Sequence, residues 1–173
     1  MEPEKRNHYL NKLIALFFLL AFITGFSSYP LKSMPGIQQI FWGLSAIFTV
    51  MGAALMGSKL TRQDHDIPAA GFNLLAIGNT MIYGFLIAND TEVSNYAGSI
   101  VLYVPGLLLV SAYKLFPKSI RISGFIAALG FASLCMLLNL DAENIKLIDI
   151  ITSISYVSLN LTILGWSWIT YRS

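Results

Sequence analysis

The chain has 173 residues, of which 55% are hydrophobic and only 12% charged, against roughly 25% charged in an ordinary soluble domain. Its 11 Lys and Arg and 9 Asp and Glu residues crowd into short segments and leave six long stretches almost bare of charge. That is more apolar length than the core of one soluble domain can use, and each stretch approaches the roughly 20 residues that cross a bilayer as a helix. A net charge of +2 without a basic run argues against a nucleic-acid partner, and a single cysteine, Cys135, excludes an intrachain disulfide or a cysteine-based zinc site.

The first apolar stretch runs from about Leu13 to Phe26 behind Lys5, Arg6 and Lys12, a flank that fits a secretory signal as well as a membrane helix. The following Ser27-Ser28-Tyr29-Pro30 lacks the small-x-small cleavage pattern, so the segment reads as a retained helix. The second span is expected over about Ile37 to Met56, after a turn marked by Pro30, Pro35 and Gly36. The third is expected over about Pro68 to Ala88, where proline at the start of a helix costs no hydrogen bond and Asp66 is a cap candidate. The fourth, about Ala97 to Leu115, contains Pro105-Gly106, which predicts a kink. Pro117 separates it from the fifth, about Ile122 to Leu140, and the sixth covers about Ile148 to Thr170. Continuous apolar runs favour helices over the ten-residue alternating segments of a membrane barrel. The expected fold is an all-α polytopic bundle of six transmembrane helices in one domain, with the bilayer itself as its surroundings.

The positive-inside rule orients it. Lys5, Arg6, Lys12, Lys59, Arg62, Lys114, Lys118, Arg121 and Arg172 fall on the side of the termini, whereas the opposite connections hold only Lys32 and Lys146 beside Asp90, Glu92, Asp141 and Glu143. Both termini are therefore expected in the cytoplasm.

A weak internal repeat runs through the chain. Ala70-Gly71-Phe72 opens the third helix and Ser123-Gly124-Phe125 the fifth, and each continues with small residues toward an acidic loop. Ser58-Lys59-Leu60 and Tyr113-Lys114-Leu115 close the even helices. The spacing suggests three parallel hairpins, about 12–60, 68–116 and 120–171. With Gly25, Pro30, Gly43, Gly52 and Lys59 in the first hairpin, Gly71, Gly78, Gly84 and Lys114 in the second, and Gly124 and Gly130 in the third, the chain resembles the HdeD-like family of small bacterial membrane proteins. The second and third hairpins depart from that pattern in lacking the outer proline. The resemblance implies a six-span bacterial inner-membrane protein linked to acid resistance, and it brings no catalytic residues.

Ionisable residues inside spans are costly and mark ion paths or catalysis. Between about Leu13 and Phe26, Ile37 and Met56, Pro68 and Ala88, Ala97 and Val110, and Ile122 and Leu140 there are none, and the sixth span holds only Asp149, near its outer end, which disfavours proton-coupled transport and voltage sensing. Uncharged polar residues are the next candidates. Asn79 and Thr80 lie mid-helix in the third span, Asn160 and Thr162 in the sixth, and Tyr83, Tyr103 and Tyr156 toward the outer half. They read either as a small polar cavity, with Asn79, Tyr83, Tyr103 and Asn160 as ligand-binding candidates, or more plainly as hydrogen bonds between helices. Asp64-His65-Asp66 reads as a solvated loop, since consecutive residues cannot all converge on one metal ion. Small residues at four-residue spacing, Ser45-Thr49-Ala53-Gly57, Ala76-Thr80-Gly84 and Gly124-Ala128-Ala132, predict close helix packing or a homo-oligomer face. Trp42, Trp166 and Trp168 look like interfacial anchors. No Gly-rich phosphate loop and no nucleophile, base and acid set is found, so neither a cofactor nor enzymatic activity is expected. Two readings remain: a structural or stress-accessory membrane protein, or a transporter component binding a small solute or lipid in a midplane cavity.

Overall fold

The computed structural model describes residues 3–88, 93–140 and 145–172. Its α-helices are α1 (Pro3–Ser27), α2 (Pro35–Thr61), α3 (Asp66–Ala88), α4 (Val93–Ile100), α5 (Tyr103–Ala112), α6 (Lys118–Asn139) and α7 (Ile145–Arg172), with a 3-10 turn at Tyr29–Ser33. Among the described residues there is no strand. Among the described residues four stretches are long and apolar enough to cross a membrane: Asn7–Leu31, Pro35–Thr61, Lys118–Asn139 and Ile145–Arg172. The stretch Tyr96–Ala112 is a shorter apolar helix. Acidic residues Asp90, Glu92, Asp141 and Glu143 lie outside the described residues.

Prolines punctuate the chain as expected, with identifiable hydrogen-bond consequences. Pro105 has no N–H to offer the Val101 carbonyl, which instead accepts from Val104 N at 3.2 Å, while Gly106 N donates to Leu102 at 3.2 Å. The fourth leg therefore divides into α4 and α5 around Val101-Leu102. Pro35 opens α2, and Pro117 caps α6. The expected boundaries shift outward in most legs, because the helix ladder continues past the apolar edge until a cap stops it. Thus α1 starts ten residues before Leu13, and α3 starts at Asp66, which sits in the first turn rather than as its cap. An acidic side chain there suits the positive end of the helix dipole. At the end of α2, Asp64 adopts a positive φ of 59° and His65 N donates back to the Leu60 carbonyl at 3.0 Å.

Consecutive helices lie side by side, with α4 and α5 sharing one leg, and α7 returns to pack along α1. The result is a closed ring of six legs. Side-chain contacts fix the directions. Phe18 meets Gly52 while Gly25 meets Ser45, so α1 and α2 are antiparallel; Ala15 meets Ser167 while Gly25 meets Asn160, so α1 and α7 are antiparallel too. Both chain ends thus fall at one end of the ring, called here the terminal end, and the connection after α1 lies at the far end.

The seams between legs are made by small residues and hydroxyls. Ser45 Oγ donates to the Ala21 carbonyl (2.9 Å), Ser123 Oγ to Ser158 (2.8 Å) and Ser167 Oγ to Ala15 (2.7 Å). Gly25 faces Ser45, Gly124 faces Ser111 and Gly130 faces Ser155. At the tightest crossing, a Cβ on Gly71 would lie 2.8 Å from the Gly106 carbonyl oxygen. This is packing of the kind helices use in lipid, where backbones approach closely because no hydrophobic force drives them together. Outside, large apolar residues such as Ile23, Leu129, Met136, Ile150, Ile154 and Leu161 form an exposed belt around the bundle. Together with the four long apolar helices, this fits a multi-pass membrane protein. Of the stripe Ala76-Thr80-Gly84, Ala76 packs partly buried against the core, whereas Thr80 is exposed and nothing lies within 4 Å of a Cβ on Gly84.

Glycines at a seam and in the open should respond oppositely. Gly71→Val is expected to destabilise the bundle by about 2–3 kcal/mol through overpacking, whereas Gly84→Ala should be neutral or stabilise by up to about 1 kcal/mol through helix propensity. Reversible unfolding in mixed micelles, followed by circular dichroism, measures both; equal effects would contradict the packing described.

Candidate functional site

The ring has two different interiors. Toward the terminal end it is filled by rings. Phe72 of α3 and Trp166 of α7 come from opposite legs and meet at 4.8 Å between centroids, at an interplanar angle of 65°. Phe18 of α1 packs on both, at 6.1 Å from Phe72 and 5.6 Å from Trp166. Phe116, from the connection between α5 and α6, closes the set at 6.2 Å from each. Edge-to-face and tilted pairs of this kind add about 0.5–1.5 kcal/mol each beyond burial. Trp166 is therefore a core residue, 1% exposed, and not the interfacial anchor its composition suggested. Its place follows from helix phase: it shares a face with buried Leu159 and Ile163, while Leu161 and Trp168 point out. Trp168 does behave as an exposed ring, with the Arg172 guanidinium 4.2 Å above it, and Trp42 is exposed as well.

Toward the far end the interior carries hydroxyls. Tyr96 of α4 and Tyr156 of α7 share a hydrogen bond between their hydroxyls at 2.9 Å. Tyr103 of α5 stacks on Phe131 of α6 at 4.9 Å, and Phe131 meets Tyr156 edge-on at 5.1 Å. Tyr103 and Tyr156 are close enough to interact electrostatically, as are Tyr156 and Tyr29. Tyr29, in the 3-10 turn, comes within hydrogen-bonding reach of the Asn160 side chain. Asn160 uses its Nδ2 on its own helix, donating to the Tyr156 carbonyl at 2.9 Å, which turns Oδ1 toward Gly25. A side chain on Gly25 would collide with both Asn160 and Ser45, so only glycine lets α1 sit there.

The candidate residues separate accordingly. Tyr103 and Asn160 belong to this far-end cluster, linked through Tyr156. Asn79 is buried and back-bonded to the Leu75 carbonyl of α3 at 2.9 Å. Tyr83 packs across Gly43 on the outside of the α2–α3 seam, where it lines a groove of about 260 Å³ with Ile40 and Ile47. A second recess, beside Cys135, Met136 and Leu140, also lies on the outer surface. The members that sequence reading passed over are Tyr29 and Tyr96. The signal for Tyr96 was present: Ile100, Tyr103 and Leu107 follow it at i+4, i+7 and i+11, one inward face.

The remaining polar features serve the frame. Arg121 donates through Nε to the Ser111 carbonyl (2.7 Å) and through an NH2 group to Ala112 (3.1 Å), satisfying the end of α5 where Tyr113 turns extended. His65 packs its ring on Tyr113 at 5.6 Å, tying the α2–α3 connection to the same corner. Among the described residues no group of three His, Cys, Asp or Glu side chains is placed to hold a metal ion. Compared with protein families, with characterised proteins and with solved structures, the chain matches none.

The two interiors should differ in their tolerance. Phe72→Ala is expected to cost about 3–5 kcal/mol by opening a cavity in the ring-filled half. Asn79→Ala, which removes a bond within one helix, should cost about 1 kcal/mol or less. Unfolding midpoints in micelles separate the two, and a larger loss for Asn79→Ala would contradict the assignment.

Proposed function

We propose that this chain is a non-enzymatic membrane scaffold of the stress or accessory type, acting through its stability and its lipid-facing surface rather than through transport or catalysis. In this reading all six legs cross the membrane as three hairpins, α1–α2, α3–α4/α5 and α6–α7, with both termini in the cytoplasm. The lysine and arginine bias of the sequence supports the orientation, and the resemblance to the HdeD-like family supports a bacterial inner membrane. One observation carries the scaffold reading: the aromatic plug of Phe18, Phe72, Phe116 and Trp166, with Phe72 and Trp166 meeting from opposite legs. A solute passing along the ring axis would have to displace four packed rings. The outer belt and the open α2–α3 groove leave lipid or a partner helix as the contacts available, and the outward Thr80 and Gly84 would face a second copy.

A second reading, binding of a small neutral solute or lipid group at Tyr103 and Asn160, is favoured by the hydroxyl-rich far half. Stopped-flow swelling of proteoliposomes separates them. The scaffold reading expects glycerol and urea to enter at the rate of protein-free liposomes. Protein-dependent entry would contradict it and favour a transport role.

A further inference from the structure

The groove outside the α2–α3 seam has a length, a width and a gradient of polarity that together fit one class of ligand. Its α2 wall is a single stripe, in which Gly36, Ile40, Gly43 and Ile47 recur at i, i+4, i+7 and i+11, with Gln39 and Leu44 beside them. Tyr83 of α3 forms the other wall. It can lie across α2 only because Gly43 has no side chain, since a Cβ there would come 2.7 Å from the Tyr83 ring.

The length is that of one leaflet. Gly36 and Ile47 are about 16 Å apart along the helix, close to half of the ~30 Å hydrocarbon core. The groove begins in the first turn of α2, just after Pro35, and ends beside Phe48, the middle of that helix. Spread over that length, its volume of about 260 Å³ leaves a cross-section of about 16 Å². That is the width of a single hydrocarbon chain, whereas a helix with its side chains is about 10–12 Å across. Polarity changes along the same direction. Gln39 lies one turn into α2 and Tyr83 stands opposite Gly43, and beyond them the wall is exposed Leu44 and Ile47. With exposed Ile40, these residues continue the apolar belt that the bilayer covers.

We propose that the α2–α3 groove holds one acyl chain of a bilayer phospholipid, with its ester region beside Gln39 and Tyr83 and its chain along Ile40, Leu44 and Ile47. An esterified chain fits better than a free fatty acid, because no charged side chain lines the groove to balance a carboxylate. A second copy is the poorer occupant, because the groove is too narrow to seat a helix. The inference rests on the membrane reading given above and assigns its lipid contact to one place.

Photo-crosslinking tests it. The full chain is reconstituted in phosphatidylethanolamine and phosphatidylglycerol vesicles containing a trace of phosphatidylcholine with a diazirine in one acyl chain, irradiated, digested and mapped by mass spectrometry. Ile47 and Tyr83 are expected to carry several-fold more adduct than the exposed belt residues Leu129 and Leu161. Ile40→Trp and Leu44→Trp, which fill the groove from exposed positions and leave the unfolding midpoint unchanged, should bring Ile47 and Tyr83 down to the belt level while Leu129 stays constant. Equal labelling of groove and belt in the unsubstituted chain would overturn the proposal, and so would labelling of Ile47 that neither variant reduces. Groove labelling below the belt, with interchain disulfides through Ile40→Cys in a Cys135→Ser background, would give the groove to a second copy instead. Labelling of neither groove nor belt would overturn the membrane reading as well, which keeps the two failures distinct.

Discussion

The hydrogen bond from Ser167 Oγ to the Ala15 carbonyl joins the last helix to the first across 152 residues, and the rest of the architecture depends on that closure. Without it α1 and α7 would be edge helices with polar groups facing outward. With it, every leg has two neighbours, and the seam groups find partners inside the protein. Lipid tails compete equally well for apolar side chains, so closure rests on close approach and short hydroxyl-to-carbonyl bonds. That explains the chemistry of the seams: Gly25 against Ser45, Gly124 against Ser111, Gly130 against Ser155, and Gly71 against the Gly106 backbone. Larger residues there would hold the legs apart and break bonds that depend on separations near 2.8 Å.

A ring of six legs leaves an axis to fill, and the two ends fill it differently. At the terminal end four aromatic side chains meet across the full width, so α3 and α7 touch although their backbones do not. At the far end the axis is lined by phenols and an amide. The division follows from which helix turns face inward: Phe18, Phe72 and Trp166 on one level, Tyr29, Tyr96, Tyr103 and Tyr156 on the other.

Much of the frame was legible in the sequence, because apolar run length and proline are local signals. Six bare stretches correspond to six legs, Pro105 marks the break between α4 and α5, and Pro117 marks the start of α6. What the sequence hid was which way each polar or aromatic side chain points. Trp166 and Trp168 are two residues apart and look equivalent by composition, yet one lies in the plug and the other faces out under Arg172. Tyr83 and Tyr103 both lie toward the far end, but Gly43 opens a seat for Tyr83 on the outside while Tyr103 turns in. The Ala76-Thr80-Gly84 stripe looked like the buried stripe of α2, yet Thr80 and Gly84 face outward. Such choices are set by the angular position of each helix in the ring, and that depends on all its neighbours at once.

The central claim is that the chain closes on itself through α1 and α7. Ala15→Cys with Ser167→Cys, in a Cys135→Ser background, tests it by mild oxidation in native membranes. Closure predicts an intrachain disulfide, seen as a faster-migrating monomer that reverts on reduction, and none when Ser167→Cys is replaced by Ile154→Cys on the outer face. Absence of that intrachain bond, or crosslinks formed only between chains, would contradict the ring.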